Sequence, residues 1–160
     1  MKMKLLLFHY LLIGVGQFIT SSAQSQQHVI WSFKIEPIGE NEAFLVFHAI
    51  IRPGWHLYSH NLKPGGPFPT TFLFSDDQKN DYRLDGAITE HGKAYTFYDD
   101  IYEMNITWYS GQVLFKRKII LNTPKVIVTG IIEYMTCNDH SCVPDKREFT
   151  IDVDLTKEKR

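Results

Sequence analysis

The feature that most constrains this chain is a period of two. Val29, Trp31, Phe33 and Ile35 alternate with more polar neighbours, and Phe149, Ile151, Val153 and Leu155 alternate with Thr150, Asp152 and Asp154. In an extended chain successive side chains point to opposite faces, so this spacing makes one face apolar and the other polar. Ala43 to Ile51 and Lys125 to Met135 are denser apolar runs, as expected of strands more deeply buried. Thr70 to Phe74, Met104 to Tyr109 and Val113 to Leu121 are further strand candidates. Turn-forming residues fall between them: Gly39-Glu40-Asn41, Pro64-Gly65-Gly66-Pro67, Ser75 to Asn80, Ser110-Gly111 and Asn122-Thr123-Pro124.

No window carries the i, i+3, i+4 apolar stripe of a helix. Seven or more short strands with turns at this spacing predict an all-β, single-domain chain. An immunoglobulin-like antiparallel β-sandwich is the expected architecture, with a small closed barrel as the alternative. Aromatic residues make up 14% of the chain and charged ones 22%, the balance of a folded globule. A formal net charge of −1 gives no hint of nucleic acid or anionic lipid as a partner. Lys157 to Arg160 reads as a solvated C-terminal end.

The first residues have a different logic. Met1 to Lys4 is a positive leader, Leu5 to Ile19 is an apolar run, and Ser21-Ser22-Ala23 supplies small residues for cleavage. Residues 1–23 therefore read as a signal peptide, and 24–160 as the exported domain. The run is broken by His9 and Gln17 and is short for a membrane span, although an uncleaved anchor is the competing reading. Export implies a compartment in which disulfides form and persist. A mature domain of this size buries a core without covalent help.

Against that background the stretch YMTCNDHSCVPD, Tyr134 to Asp145, raises the functional question. It contains both cysteines of the chain, Cys137 and Cys142, with only four residues between them. Three readings compete. A structural staple is the usual role of a cysteine pair in an exported protein, but a loop this short contributes only about 2 kcal/mol in the chain-entropy model. A zinc site has Cys137, His140 and Cys142 as ligands, with His56 and His60 as further donors. It lacks a second Cys or His pair at ligand spacing, and an oxidising compartment disfavours free thiolates. A reversible dithiol fits the polar loop Asn138-Asp139-His140-Ser141, where accessible sulfurs exchange readily and His140, when protonated, stabilises a thiolate.

Three segments in order resemble one known family, the N-terminal periplasmic domain of the thiol:disulfide interchange protein DsbD. They are Gly54-Trp55-His56-Leu57-Tyr58, Thr96-Phe97-Tyr98-Asp99-Asp100-Ile101-Tyr102, and the cysteine segment from Tyr134 to Pro144. The resemblance covers nearly all of the mature chain. It implies an immunoglobulin-like fold and a redox-active pair, Cys137 and Cys142, with Cys142 forming the mixed disulfide with partners. It implies a cap in which Phe97, backed by Tyr98, shields the disulfide, and flanking positions at His56 and Tyr58. The chain departs from the family's pattern in its four-residue intercysteine loop, one shorter than in the best-known member. Tyr95 and Thr96 also stand where members can carry acids before the cap Phe.

The expected function is an exported electron-relay module. It passes reducing equivalents, with no cofactor and no bound metal, to thioredoxin-like redox proteins in the periplasm. Because the family's full-length relay continues into a membrane domain and a thioredoxin-like domain, a membrane electron donor is expected in trans. No small-molecule substrate and no nucleic acid are expected. The rival is a secreted binding module whose aromatic residues Trp55, Tyr58, Phe97 and Tyr98 face a partner and whose hairpin disulfide is purely structural.

Overall fold

A computed structural model describes residues 27–78 and 80–156, so the expected signal peptide of residues 1–23 lies outside the described residues. Eight strands follow one another: β1 (Val29–Pro37), β2 (Glu42–Ile51), β3 (His56–Tyr58), β4 (Thr71–Phe74), β5 (Tyr82–Asp99), β6 (Met104–Leu121), β7 (Lys125–Cys137) and β8 (Cys142–Asp154). One short 3-10 turn, Asp76–Gln78, separates β4 from β5. Every ladder is antiparallel.

The strands form two layers of one curled sheet, the immunoglobulin-like antiparallel sandwich that the alternation predicts. β1, β2, β6 and β5 lie side by side in one layer, and β4, β7 and β8 in the other; β3 joins them by pairing with both β6 and β7. β1, β4, β5 and β8 each keep one edge without a ladder among the described residues, so the sheet does not close into the barrel alternative.

The core fills the space between the layers, and period two explains its membership. Ala43, Leu45, Phe47, Ala49 and Ile51 point inward from β2, as do Val126, Val128, Ile132 and Tyr134 from β7 and Phe149, Ile151 and Val153 from β8. Phe47 touches Phe72 at 4.7 Å and Phe149 at 5.0 Å between ring centroids, and Trp31 meets Tyr134 at 5.4 Å. These contacts cross from one layer to the other at distances favoured by aromatic pairs. Gly130 is where β4 and Phe149 press against β7: a Cβ there would lie 2.2 Å from the Leu73 carbonyl oxygen.

Two expectations are corrected. Ser110-Gly111 is not a turn between two strands. β6 runs unbroken from Met104 to Leu121, and Gly111, at φ +74°, sits in an irregularity where the register against β5 shifts between Gly92 and Ala94. The second correction is β5, an eighteen-residue strand that the sequence does not announce. It pairs only with β6 and its far half is exposed, so no apolar alternation marks it.

Candidate functional site

Cys137 ends β7 and Cys142 begins β8, and the two are direct cross-strand partners joined by a disulfide, with Cα atoms 4.1 Å apart. The four residues between them make a tight turn. The Asn138 amide donates to the Ser141 carbonyl oxygen at 2.9 Å. Its side-chain oxygen accepts from the His140 amide at 2.9 Å, the Ser141 amide at 2.8 Å and the Ser141 hydroxyl at 3.2 Å. Asn138 thus organises the turn by the side-chain-to-backbone bonding for which Asn is favoured.

The two sulfurs occupy different surroundings. Cys137 is only 2% exposed, whereas Cys142 opens to solvent with the first half of β8. Along β7, Tyr134 and Thr136 face the main core and Met135 and Cys137 face the other side of the sheet. There Cys137 packs with buried Tyr58 and Ile106, and Leu62, Met104, Trp108 and Met135 lie against them. A second, small apolar cluster therefore backs the disulfide on the outer face.

β3 brings two of the expected residues to this cluster. His56 is the register partner of Cys137 on the strand edge opposite Cys142, and Tyr58 is paired with Trp108. His56 Nε2 and the Tyr58 hydroxyl are 3.4 Å apart. Ring contacts then run in a chain: Tyr58 to His56 at 5.3 Å, His56 to Trp108 at 4.6 Å, and Trp108 stacked on Tyr95 at 4.8 Å. Burial lowers the His56 pKa from its usual 6.5, against a smaller upward pull from the Asp139 carboxylate. Burial also raises the Tyr58 pKa, aided by Tyr102 and Asp99 from the tip of the β5–β6 hairpin.

Phe97 and Tyr98 lie near the end of β5 and not in a loop; the connection to β6 is the tight turn beyond Asp99, whose carboxylate accepts from the Ile101 and Tyr102 amides. Phe97 is paired with Ile106 and so shares its face, the face of the cysteine cluster, while remaining 46% exposed. Tyr98 alternates to the opposite face and is 60% exposed, so the two rings do not stack as one unit. The hairpin tip also exposes Ile101 (88%) and Tyr102. A cleft of about 490 Å³ runs beside the cysteine hairpin, lined by Phe68, Pro69, Glu133, Pro144 and Lys146 among others.

The sequence reading missed Trp108 and Glu90, and named Tyr95 only as a departure from the family's pattern before the cap Phe. Glu90, on β5, is a hub for the segment that follows β3: its carboxylate accepts from the Ser59 hydroxyl, the His60 amide, the Asn61 side chain and the Tyr109 hydroxyl. Burial, and then Glu90 itself, raises the Tyr109 pKa to about 12. No motif marks these residues, because the register that assembles them joins segments far apart in the chain.

His140 is exposed in the turn and His60 Nδ1 lies 2.8 Å from the Thr70 carbonyl oxygen. Among the described residues no group of three or more His, Cys, Asp or Glu is arranged to hold a metal ion.

In backbone shape the chain is similar to the N-terminal periplasmic domain of ScsB from Proteus mirabilis. The TM-score is 0.54 at 13% identity, over 84% of this chain and 49% of that one. This chain thus spans about half the length of that structure. It also matches the N-terminal domain of Neisseria meningitidis DsbD in the reduced form, with a TM-score of 0.46 at 11% identity, over 79% of this chain and 86% of that one. No curated protein matches at a significant level. A family model matches residues 22–154, which include every strand and both cysteines. A sandwich with a cysteine hairpin at its end, matched over that span, belongs to the family of the thiol:disulfide interchange protein DsbD, N-terminal domain.

Proposed function

We propose that this domain is an exported thiol–disulfide exchange module that passes reducing equivalents to partner proteins through Cys137 and Cys142. The observation that carries the reading is the unequal exposure of the two cysteines within one tight hairpin. Exchange proceeds by attack of a thiolate along the axis of a disulfide, so the reachable sulfur meets the partner first. In the reduced domain the Cys142 thiolate attacks a partner's disulfide and one partner thiolate leaves. Cys137 then attacks Cys142 Sγ in the mixed species, the second partner thiolate leaves, and the Cys137–Cys142 bond is restored. Two electrons pass to the partner and no cofactor is needed.

In this scheme Phe97, on the cysteine face of β5, is the movable cover that limits approach to the pair and gives way when a partner docks. Family membership favours thioredoxin-like proteins as partners. A membrane-bound donor re-reduces the pair, residues 1–23 direct export, and the domain works in the periplasm. The apolar hairpin tip, with Ile101, Tyr102 and Tyr98 exposed, supplies surface of the kind found at the centre of protein interfaces.

The test is to trap partners with Cys137→Ser, which leaves Cys142 without its resolving partner. A mixed disulfide with a thioredoxin-like protein is expected, and its complete absence sinks the assignment. The same exposed aromatics suit the rival reading, a secreted binding module with a structural clasp. A reduction potential separates them, since a clasp lies below about −300 mV and an exchange pair sits higher.

A further inference from the structure

The exchange scheme leaves one proton unaccounted for. Cys137 must become a thiolate before it attacks Cys142 Sγ, yet it is almost wholly buried among Tyr58, Ile106 and neighbouring apolar side chains. Such surroundings disfavour the charged form of a thiol and keep bulk water from taking its proton. Something beside it has to accept that proton.

Resting on the exchange reading above, we infer that His56 is the proton acceptor for Cys137 in the resolving step. The placement is cross-strand: His56 on β3 is the direct partner of Cys137 on β7, as Cys142 is on the other edge, so the three lie in a row across the sheet. Side chains of such partners project from the same face with Cβ atoms roughly 5 Å apart. The ring contact of His56 with Tyr58, and the packing of Tyr58 with Cys137, place the imidazole on the cysteine face by an independent route.

The groups around the ring suit the task. Trp108 on β6 and Tyr58 on β3 hold it between two aromatic side chains. In the tautomer in which Nε2–H donates to the Tyr58 hydroxyl oxygen, Nδ1 is the unprotonated nitrogen that takes the proton. Asp139 in the turn is the carboxylate that acts on the ring, and it stabilises the imidazolium once formed; Asp99 and Tyr102 act on Tyr58. Burial favours the neutral ring, the form that is able to accept a proton. The step balances: the proton moves from Cys137 Sγ to the imidazole, the new S–S bond forms to Cys142 Sγ, the partner's thiolate departs, and the imidazolium releases its proton to solvent.

The resolving step can be watched without any protein partner. The reduced domain is mixed with one equivalent of 5,5′-dithiobis(2-nitrobenzoate), which loads Cys142 and releases one coloured thiolate. Attack by Cys137 then releases the second, which stopped-flow absorbance follows. In the native domain the rate of second release should fall as the pH drops through the His56 titration. His56→Gln should lose that limb, slow on the order of 10²-fold at pH 7, and become proportional to hydroxide. Tyr58→Phe, which keeps the imidazole, should retain the limb. A native rate and profile in folded His56→Gln overturns the inference, and so does loss of the limb in Tyr58→Phe with the His56→Gln limb intact. Failure of the exchange reading is read separately, by the absence of a trapped partner with Cys137→Ser.

Discussion

At β3 the two faces of one sheet do different things. Leu57 points into the main core with Tyr109 and Tyr134, and its neighbours His56 and Tyr58 point the other way, toward Cys137, Ile106 and Trp108. The inner cluster draws on all eight strands and buries four phenylalanines, Phe47, Phe72, Phe115 and Phe149. The outer cluster has three buried members and an open rim. The inner face supplies the stability of the fold, because apolar area removed from water is the dominant favourable contribution. The outer face is too small to add much and instead sets the surroundings of a sulfur. Separating the two lets the cysteine end change its bonding without disturbing the packing that holds the sandwich together.

Phe47→Ala tests that separation hardest. It should lose about 3–5 kcal/mol in chemical denaturation, since it empties the centre of the inner cluster, and leave the reduction potential of the pair unchanged. A shifted potential would break the comparison. Ile106→Ala strikes the outer cluster. A loss of about 2 kcal/mol is expected, together with faster alkylation of Cys137 in the reduced protein, because Ile106 is one of its buried neighbours. If stability falls and alkylation does not change, the outer cluster is only packing.

Phe97→Ala should alter stability by less than about 1 kcal/mol, since the ring is half exposed, yet quicken reduction of the disulfide by dithiothreitol. Unchanged kinetics would remove Phe97 as a cover. The smallest effect is in pH. The His56 pKa is lowered in the folded protein, so below 6.5 the unfolded chain takes up the proton first and stability falls with falling pH. His56→Gln should make that decline shallower in denaturant titrations between about pH 6.5 and 5.

The sandwich was legible because strands covered on one side must alternate. Val29 to Ile35 and Phe149 to Leu155 follow that rule in the structure. β5 was not legible, because an edge strand exposed over its far half has no apolar face to advertise. Ser110-Gly111 misled for a related reason: a glycine at positive φ serves a bulge as well as a turn, and only the partner strand tells which. At the site, the cysteine pair stood out by spacing, whereas Trp108, Tyr95 and Glu90 carry no local signature. They join the site through the registers of β5, β6 and β3, which are properties of the folded chain.

The Asn138 turn has a consequence for the reduced state. Its three side-chain hydrogen bonds and the backbone bond from Asn138 to Ser141 do not involve sulfur, so they are available whether or not the covalent link is present. With the disulfide opened, the two thiols remain tethered at adjacent ends of a preformed hairpin, and each experiences the other at a high effective concentration. Ring closure then needs little searching by the chain, and the domain returns to its starting shape after each turnover.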